Sequence, residues 1–129
     1  MDTLKVGMKH TLVWEVTEQY TTARGEFKVF STPSMVLLAE MAAHQLAAPH
    51  LPPGRSQVGI SVFIRHLAAT PLGKTVRAEA TLTGIDRRKL AFDVNVYDDV
   101  EQVGEVKHER FVIDVDKYTE RLRKKIQAR

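Results

Sequence analysis

The chain has 129 residues, of which 43% are hydrophobic and 27% are charged, a composition typical of one globular domain. It has no cysteine, which excludes thiol nucleophiles and thiolate metal sites and favours a reducing compartment. The formal net charge of +3 suits an anionic ligand as well as a nucleic acid. No segment approaches the ~20 apolar residues of a membrane span, and no signal-peptide pattern is present, so we expect a cytoplasmic protein without a membrane partner.

The first half of the chain predicts a strand, a polar segment and a helix. Residues 9–17 alternate as in a half-buried strand, whereas residues 19–28 are polar and aperiodic and predict a loop or lid. A helix is expected to begin at Thr32 and Pro33, because a threonine hydroxyl can cap free N–H groups and proline is tolerated in the first turn. Residues 33–48 are apolar nearly all round, which predicts a buried helix.

The second half predicts an antiparallel meander. Its expected elements are a central strand at Val58–Ala69 with apolar residues on both faces, an alternating strand at 75–85, a hairpin turn at Asp86–Lys89, strands at 90–97 and 103–115, and a basic amphipathic helix at 116–129. The order predicts an α+β fold in which one long buried helix packs against a curved antiparallel sheet, with residues 1–129 forming a single domain.

Glu40 is the only charged residue in the segment from Pro33 to Ala48. A carboxylate there must be paired, hydrogen-bonded or directed into a cavity, because burying it otherwise costs too much free energy. It is therefore a functional group, half of a structural ion pair with Arg65 or Arg110, or a position where the helix meets solvent. We favour function, because perturbed carboxylates concentrate at active sites.

Thr32 and His66 are the other candidates for chemistry. Thr32 precedes Glu40 by about two helical turns, so both can face the same side, although simple capping would also explain Thr32. His66 ends a run of aliphatic residues at period two, where a core histidine is the alternative: Val58, Ile60, Val62 and Ile64. Together a hydroxyl, a carboxylate and an imidazole can orient water and move protons in acyl transfer.

Other site types find little support in the sequence. The five histidines form no HExxH pair, and no phosphate-binding or dinucleotide glycine motif is complete, so we expect no metal and no cofactor. Arg87 and Arg88 at the predicted hairpin tip could hold phosphates or simply face solvent. Neither they nor the basic C-terminal cluster is interleaved with aromatic residues, which argues against a nucleic-acid partner.

The chain resembles hot-dog-fold thioesterases, and specifically the fluoroacetyl-CoA thioesterase family. The resemblance runs in order over about residues 4–119 and is carried by four segments: Phe30–Val36 leading to Glu40, Gly59–Pro71 with His66, the turn Arg87-Arg88, and Gly104 followed by His108-Glu109-Arg110. It implies a hydrolase with Thr32, Glu40 and His66 as the catalytic set and Gly59 near the thioester carbonyl.

The resemblance further implies a homodimer in which the sheet is continuous and the acyl-CoA lies at the subunit interface. Whether two such dimers associate is left open. Coenzyme A would then enter as part of the substrate, and Arg87 and Arg88 are candidates for contacts with its phosphates.

The chain departs from this family in the segment before the helix, where Glu18–Lys28 is short and polar in place of an apolar lid with aromatic residues. The hypothesis is therefore hydrolysis of a small or medium acyl-CoA thioester without selectivity for fluoroacetyl-CoA. Glu40 would act as general base or as nucleophile. The alternative is a non-catalytic acyl-CoA-binding protein of the same fold; a nucleic-acid binder or a hydratase is less favoured.

Overall fold

The computed structural model describes residues 1–128. Within them, the strands are β1 (Lys9–Glu15), β2 (Thr21–Arg24), β3 (Phe27–Phe30), β4 (Arg55–His66), β5 (Thr75–Asp86), β6 (Lys89–Tyr97) and β7 (Gln102–Asp114), and the helices are α1 (Thr32–Ala47) and α2 (Val115–Gln127). No helix of these residues is long and apolar enough to cross a membrane. Arg129, the last residue of the predicted C-terminal helix, lies outside the described residues.

Five strands form an antiparallel sheet in the order β1-β5-β6-β7-β4, and α1 packs against one of its faces. Alternate residues of β5 and β6 point toward the helix and are fully buried, as the period-two pattern requires. The helix contributes seven buried residues: Met35, Leu38, Ala39, Ala42, Ala43, Leu46 and Ala47. The predicted α+β architecture, with one long buried helix on an antiparallel sheet, is confirmed.

The start of α1 differs from the prediction in the residue that caps it. Ser31 is the N-cap, and its Oγ accepts a hydrogen bond from the Ser34 backbone N–H at 3.2 Å. Thr32 is the first helical residue and Pro33 the second, so the expectation that Thr32 caps the helix is wrong. The Thr32 hydroxyl is therefore free to make a different contact.

The segment expected to be a loop at residues 19–28 instead contains most of a small hairpin, β2 and β3. Each strand has four residues and is largely exposed, so neither shows the alternation that a core-facing strand would. The ring of Tyr20 stacks on Trp14 at 4.5 Å, and the Phe30 N–H donates to the Thr70 carbonyl at 2.8 Å. These contacts hold the hairpin against the sheet beside the start of α1.

The expected central strand is instead an edge strand. β4 ends at His66 and pairs only with β7, so its other edge is open. Apolar side chains are exposed along it, with Ile60 50% and Phe63 65% accessible. The strand looked central in the sequence because it is aliphatic on both faces, but no strand of residues 1–128 pairs with its outer edge. Such an edge is a template for pairing with another strand.

β4 contains a β-bulge at Ile60. The residues on either side of it, Gly59 and Ser61, pair with the consecutive β7 residues Arg110 and Glu109, which leaves Ile60 without a partner in β7. One extra residue in an alternating strand moves every later side chain to the opposite face.

The bulge changes which residues of β4 share a face. Gly59 and His66 are separated by an odd number of positions, yet both face α1, since each lies against a side chain of that helix. The prediction that His66 continues the face of Val58 and Ile60 is therefore wrong, whereas the face it shares with Val62 and Ile64 is confirmed. Without the bulge, Gly59 and His66 would lie on opposite sides of the sheet.

Ser31 and Thr32 provide a matched test of the helix start. We expect Ser31→Ala to lower the free energy of unfolding by about 1 kcal/mol, because it removes the side-chain acceptor at the N-cap. Thr32→Ala should change it by less than half as much, since the Thr32 hydroxyl caps no backbone N–H. Urea denaturation measures both values. Equal losses in the two variants would contradict the assignment of the cap.

Candidate functional site

Thr32 and His66 form one half of the candidate site. The Thr32 hydroxyl Oγ1 and the His66 Nδ1 are hydrogen-bonded at 2.8 Å, which joins the first residue of α1 to the last residue of β4. The other ring nitrogen, Nε2, is shielded from solvent and has no hydrogen-bond partner within residues 1–128. A hydroxyl on an imidazole whose second nitrogen is unused is an arrangement suited to proton transfer.

The Thr32–His66 pair lies in the wall of a cavity of about 750 Å³. The cavity is lined by the β2–β3 hairpin, the start of α1 and the end of β4: Thr21, Thr22, Arg24, Val29–Pro33 and His66–Ala69. Burial lowers the pKa of His66, and the Ala68 backbone beside the ring raises it by a smaller amount. The imidazole is therefore neutral near pH 7 and able to take up a proton.

Glu40 and Gly59 form the other half. A Cβ on residue 59 would lie 2.9 Å from the Glu40 Oε2, so any side chain there would displace the carboxylate. Glycine is thus required at position 59 so that the Glu40 carboxylate can lie this close to the backbone of β4, although the backbone conformation of Gly59 is ordinary. The Glu40 side chain is 36% exposed and faces open space as well as the protein.

The ion-pair partner of Glu40 is Arg110, one of the two arginines expected for it. Arg110 Nη1 lies 3.6 Å from Glu40 Oε2. Arg65 instead pairs with Glu105 at 3.8 Å, since both point away from α1 on the exposed face of the sheet. Glu40 therefore stands beside a buried cation, and also beside a glycine that leaves room for a ligand.

Arg110 is buried, and neutral acceptors satisfy most of its donors. Its Nε donates to Gln57 Oε1 at 2.7 Å, Nη1 lies 3.2 Å from His108 Nε2, and Nη2 lies 3.4 Å from His44 Nδ1. Burial lowers the pKa of Arg110 and the neighbouring Glu40 raises it, so the guanidinium stays charged.

His108 was not predicted to belong to the site, and Arg110 was predicted only as a possible ion-pair partner of Glu40. The available signal was their position in β7, where Val106, His108, Arg110 and Val112 alternate on the side that faces the helix. Two polar residues at core positions of a strand need buried partners, which is itself a sign of a site.

The structure does not bring the two halves together within one chain. Eight helical residues separate Thr32 from Glu40, about 12 Å along the axis of α1. Among residues 1–128, no hydrogen bond or ion pair connects the Thr32–His66 pair with Glu40. Thr32 and Glu40, which the spacing allows to face the same side of the helix, are thus not in contact within a single chain.

Arg87 and Arg88 lie at the tip of the β5–β6 hairpin, where Asp86 pairs with Lys89 as the sequence predicts. With Phe111 they line a shallow groove. The Arg88 carbonyl accepts from the backbone N–H of Val112, which fixes the hairpin at the end of the sheet where β4 begins. Neither arginine forms an ion pair with a carboxylate of the described residues. As for metals, residues 1–128 hold no cluster of three His, Asp or Glu.

Comparison with known proteins identifies the family. The model of the fluoroacetyl-CoA-specific thioesterase family matches residues 11–116. A fluoroacetyl-CoA thioesterase of Streptantibioticus cattleyicolor is 39% identical over 101 residues, 78% of this chain and 73% of that protein. The chain belongs to the fluoroacetyl-CoA-specific thioesterase family.

Solved structures agree with this family. A structure of the fluoroacetyl-CoA thioesterase FlK superposes with a TM-score of 0.88 at 34% identity, covering 96% of this chain and 98% of that chain. A hot-dog-like protein from Thermanaerovibrio acidaminovorans gives a TM-score of 0.90 at 22% identity over 96% of this chain and 94% of its own, which shows a shared fold. The predicted hot-dog fold is confirmed, and the protein is a thioester hydrolase.

Three histidines of the two half-sites make stability dependent on pH. Burial lowers the pKa of His44, His66 and His108, so the folded state keeps them neutral. Unfolded histidines titrate near 6.5, so the unfolded state binds more protons below that pH. We expect the melting temperature to be highest above about pH 6.5 and to fall as the pH drops toward the lowered folded pKa values.

Thermal melts between pH 5 and 7.5 measure this effect. Two carboxyl groups with lowered pKa values, Asp98 and Glu109, do not interfere, because they titrate in more acidic solution. His108→Gln should flatten the dependence by removing one of the three groups. A melting temperature that is constant or rises as the pH falls from 7 to 5 would contradict burial of neutral histidines.

Proposed function

We propose that this protein hydrolyses a small or medium acyl-CoA thioester to the free acid and CoA, in a site to which two subunits contribute. The family supports thioester hydrolysis. The composite site is supported by the position of its two halves. Gly59, which lies against Glu40, and His66, which is bonded to Thr32, stand at different points along the open edge strand β4.

A two-fold pairing of β4 with the same strand of a second copy would join the halves. In such an antiparallel pair, opposite residues point to the same side of the sheet. Because the bulge makes Gly59 and Ile60 occupy one position of the ladder, placing Gly59 opposite the partner's His66 puts the two-fold axis at Phe63, which is exposed and apolar, as is its neighbour Val62. The bulge supports this arrangement, because it directs Gly59 and His66 to the same face. Leu37 and Met41 add exposed apolar surface on α1.

Within this site, Glu40 is the group that starts the reaction. It either removes a proton from the water that attacks the thioester carbonyl, or attacks that carbonyl itself. In the second route the C–S bond breaks, the CoA thiolate leaves, and water then hydrolyses the resulting anhydride to the free acid and the Glu40 carboxylate. A carbonyl lying over Gly59 is within reach of Glu40 and of the Gly59 backbone N–H, which would stabilise the developing oxyanion. Single turnover in ¹⁸O-water separates the two routes, since only the anhydride leaves the label in Glu40.

His66 and Thr32 act on the other side of the thioester. When the Thr32 hydroxyl donates to Nδ1, the proton of the imidazole is on Nε2, the nitrogen without a partner among residues 1–128. The partner's His66 would then polarise the carbonyl or protonate the departing CoA thiolate. Thr32 fixes this tautomer and the orientation of the ring.

We also propose that the acyl pocket does not select fluoroacetyl-CoA. The hairpin contributes Thr21, Thr22 and Arg24 to the cavity wall, and these side chains are polar. Arg87 and Arg88 are proposed to bind CoA phosphates, because Arg87 is exposed, Arg88 is half-buried, neither pairs with a carboxylate of residues 1–128, and both line the groove at Phe111.

Hydrolysis of a panel of acyl-CoAs, followed as free thiol, tests the function. Wild-type protein is expected to cleave several short and medium acyl-CoAs, with kcat/KM for fluoroacetyl-CoA and acetyl-CoA within about tenfold of each other. Glu40→Gln should lower kcat by about 10²–10⁴-fold, because the amide cannot accept the proton or attack. Its circular dichroism should match the wild type.

Two outcomes would contradict the proposal. Saturable binding of acyl-CoA with no cleavage by the wild type would select the non-catalytic binding protein. A kcat/KM for fluoroacetyl-CoA that exceeds the value for acetyl-CoA by a thousandfold or more would agree with thioester hydrolysis but would contradict the proposal that the pocket does not select fluoroacetyl-CoA.

The two edges of the sheet provide a matched test of the dimer. Val62→Lys places a charge beside the proposed two-fold axis, whereas Val13→Lys places the same charge at an exposed position of β1, the opposite edge. A lysine on an edge strand blocks edge-to-edge pairing. In size-exclusion chromatography with light scattering, we expect Val62→Lys to be a monomer without activity and Val13→Lys to remain an active dimer. A dimeric, active Val62→Lys variant would exclude this interface.

A further inference from the structure

We propose that His108 is a positioning residue of the active site: as a neutral hydrogen-bond acceptor it holds the Arg110 guanidinium and keeps Arg110 from pairing closely with Glu40. The inference rests on the proposed function, since it concerns the carboxylate that starts hydrolysis. His108 itself touches neither Thr32 nor the cavity beside it, and it acts through Arg110.

The partners of His108 determine its tautomer. The ring is buried in β7, and its Nδ1 lies 2.8 Å from the Ser61 carbonyl oxygen. A carbonyl only accepts, so Nδ1 carries the proton and donates it. The opposite nitrogen, Nε2, then presents a lone pair to Arg110 Nη1 at 3.2 Å. Both ring nitrogens are used only when the imidazole is neutral.

Arg110 has neutral acceptors on three sides. Gln57, His108 and His44 accept from different nitrogens of the guanidinium, and Glu40 is the one anion that forms an ion pair with it among residues 1–128. The distance to Glu40, 3.6 Å, is longer than the 2.7–2.9 Å of a close charge-assisted hydrogen bond. The guanidinium is therefore satisfied without binding the carboxylate tightly, so Glu40 keeps a lone pair for water or for the thioester.

Removing the acceptor would redirect Arg110. A buried N–H without a partner is costly, and Glu40 is the adjacent group able to accept it. A carboxylate held by a close guanidinium bond is a weaker base, because that bond favours its charged form. The rate of the chemical step should fall, while substrate binding, which depends on other surfaces, should change little.

The protonation of His108 would have a similar effect in acid. Groups that face this ring from neighbouring elements are Arg110, Glu40, Glu109, the Ser61 carbonyl and the ring of Phe92. Burial and Arg110 lower the pKa of His108, whereas the Ser61 carbonyl and the two carboxylates raise it by less. The acceptor at Nε2 is thus preserved at neutral pH.

Two substitutions separate positioning from packing. His108→Val introduces the residue type found at the neighbouring core positions 106 and 112, but it leaves Arg110 Nη1 without its acceptor. His108→Gln keeps a hydrogen-bond acceptor, and this acceptor does not titrate. We expect His108→Val to lower kcat at least tenfold with KM within about threefold, and to move the acid limb of the kcat profile to lower pH. His108→Gln should restore kcat to within about threefold of the wild type.

Val112→Ala is the packing control, since it removes core volume from the same side of the same strand. It should lower the melting temperature without moving the pH profile. A folded His108→Val variant with wild-type kcat and pH profile would overturn the inference, as would a His108→Gln variant no more active than His108→Val.

A second measurement does not depend on activity. The ¹⁵N shifts of the His108 ring in the wild type should show a neutral imidazole protonated at Nδ1 at pH 7. A charged ring, or a proton on Nε2, would overturn the inference. If the wild type cleaves no thioester, the proposed function fails, and this spectrum still tests the tautomer on its own.

Discussion

Strand β4 must present Gly59 and His66 to the same side of the sheet, although a regular strand would place residues at this odd spacing on opposite sides. The bulge at Ile60 resolves the conflict with one unpaired residue. Gly59 can then lie against Glu40 in the middle of α1, and His66 against Thr32 at its start. Both half-sites of the proposed active site depend on this local irregularity.

Charge burial determines the rest of the site. Arg110 occupies a core position of β7, and a guanidinium there is tolerable only when its donors are satisfied. Three neutral acceptors and one partly exposed carboxylate satisfy the N–H donors of Arg110 without a tight ion pair. The lowered pKa values of His44 and His108 belong to the same arrangement, since each ring accepts from Arg110 only while neutral.

The sequence predicted the features that local chemistry determines. The buried helix, the alternating strands, the hairpin at Arg87 and Arg88 and the isolated Glu40 all follow from spacing and residue type. The hot-dog fold came from a resemblance carried by ordered motifs such as the segments around Thr32 and His66. The hydrogen bond between Thr32 and His66 could not be predicted from spacing alone, because residues 34 positions apart meet only through the tertiary fold.

Other features could not be predicted because their causes are not local. β4 looked central since both its faces are aliphatic, and nothing in its residues reveals that one edge is open. The bulge inverts the face assigned to Val58 and Ile60, and its one sign in the sequence is Gly59, since a glycine inside a strand often marks a bulge. By residue type, Ser31 and Thr32 are equally suitable N-caps, and only the structure shows that Ser31 is the one that caps α1.

The central claim is that each active site takes Glu40 from one subunit and His66 from its partner. Mixing the inactive variants Glu40→Gln and His66→Asn under conditions that exchange subunits tests it directly. A heterodimer of the two has one site with both native groups, so the equilibrated mixture should recover about a quarter of wild-type activity. If each site instead drew both groups from one chain, or needed only one of them, mixing would leave the activity at the level of the separate variants, and the composite site would be wrong.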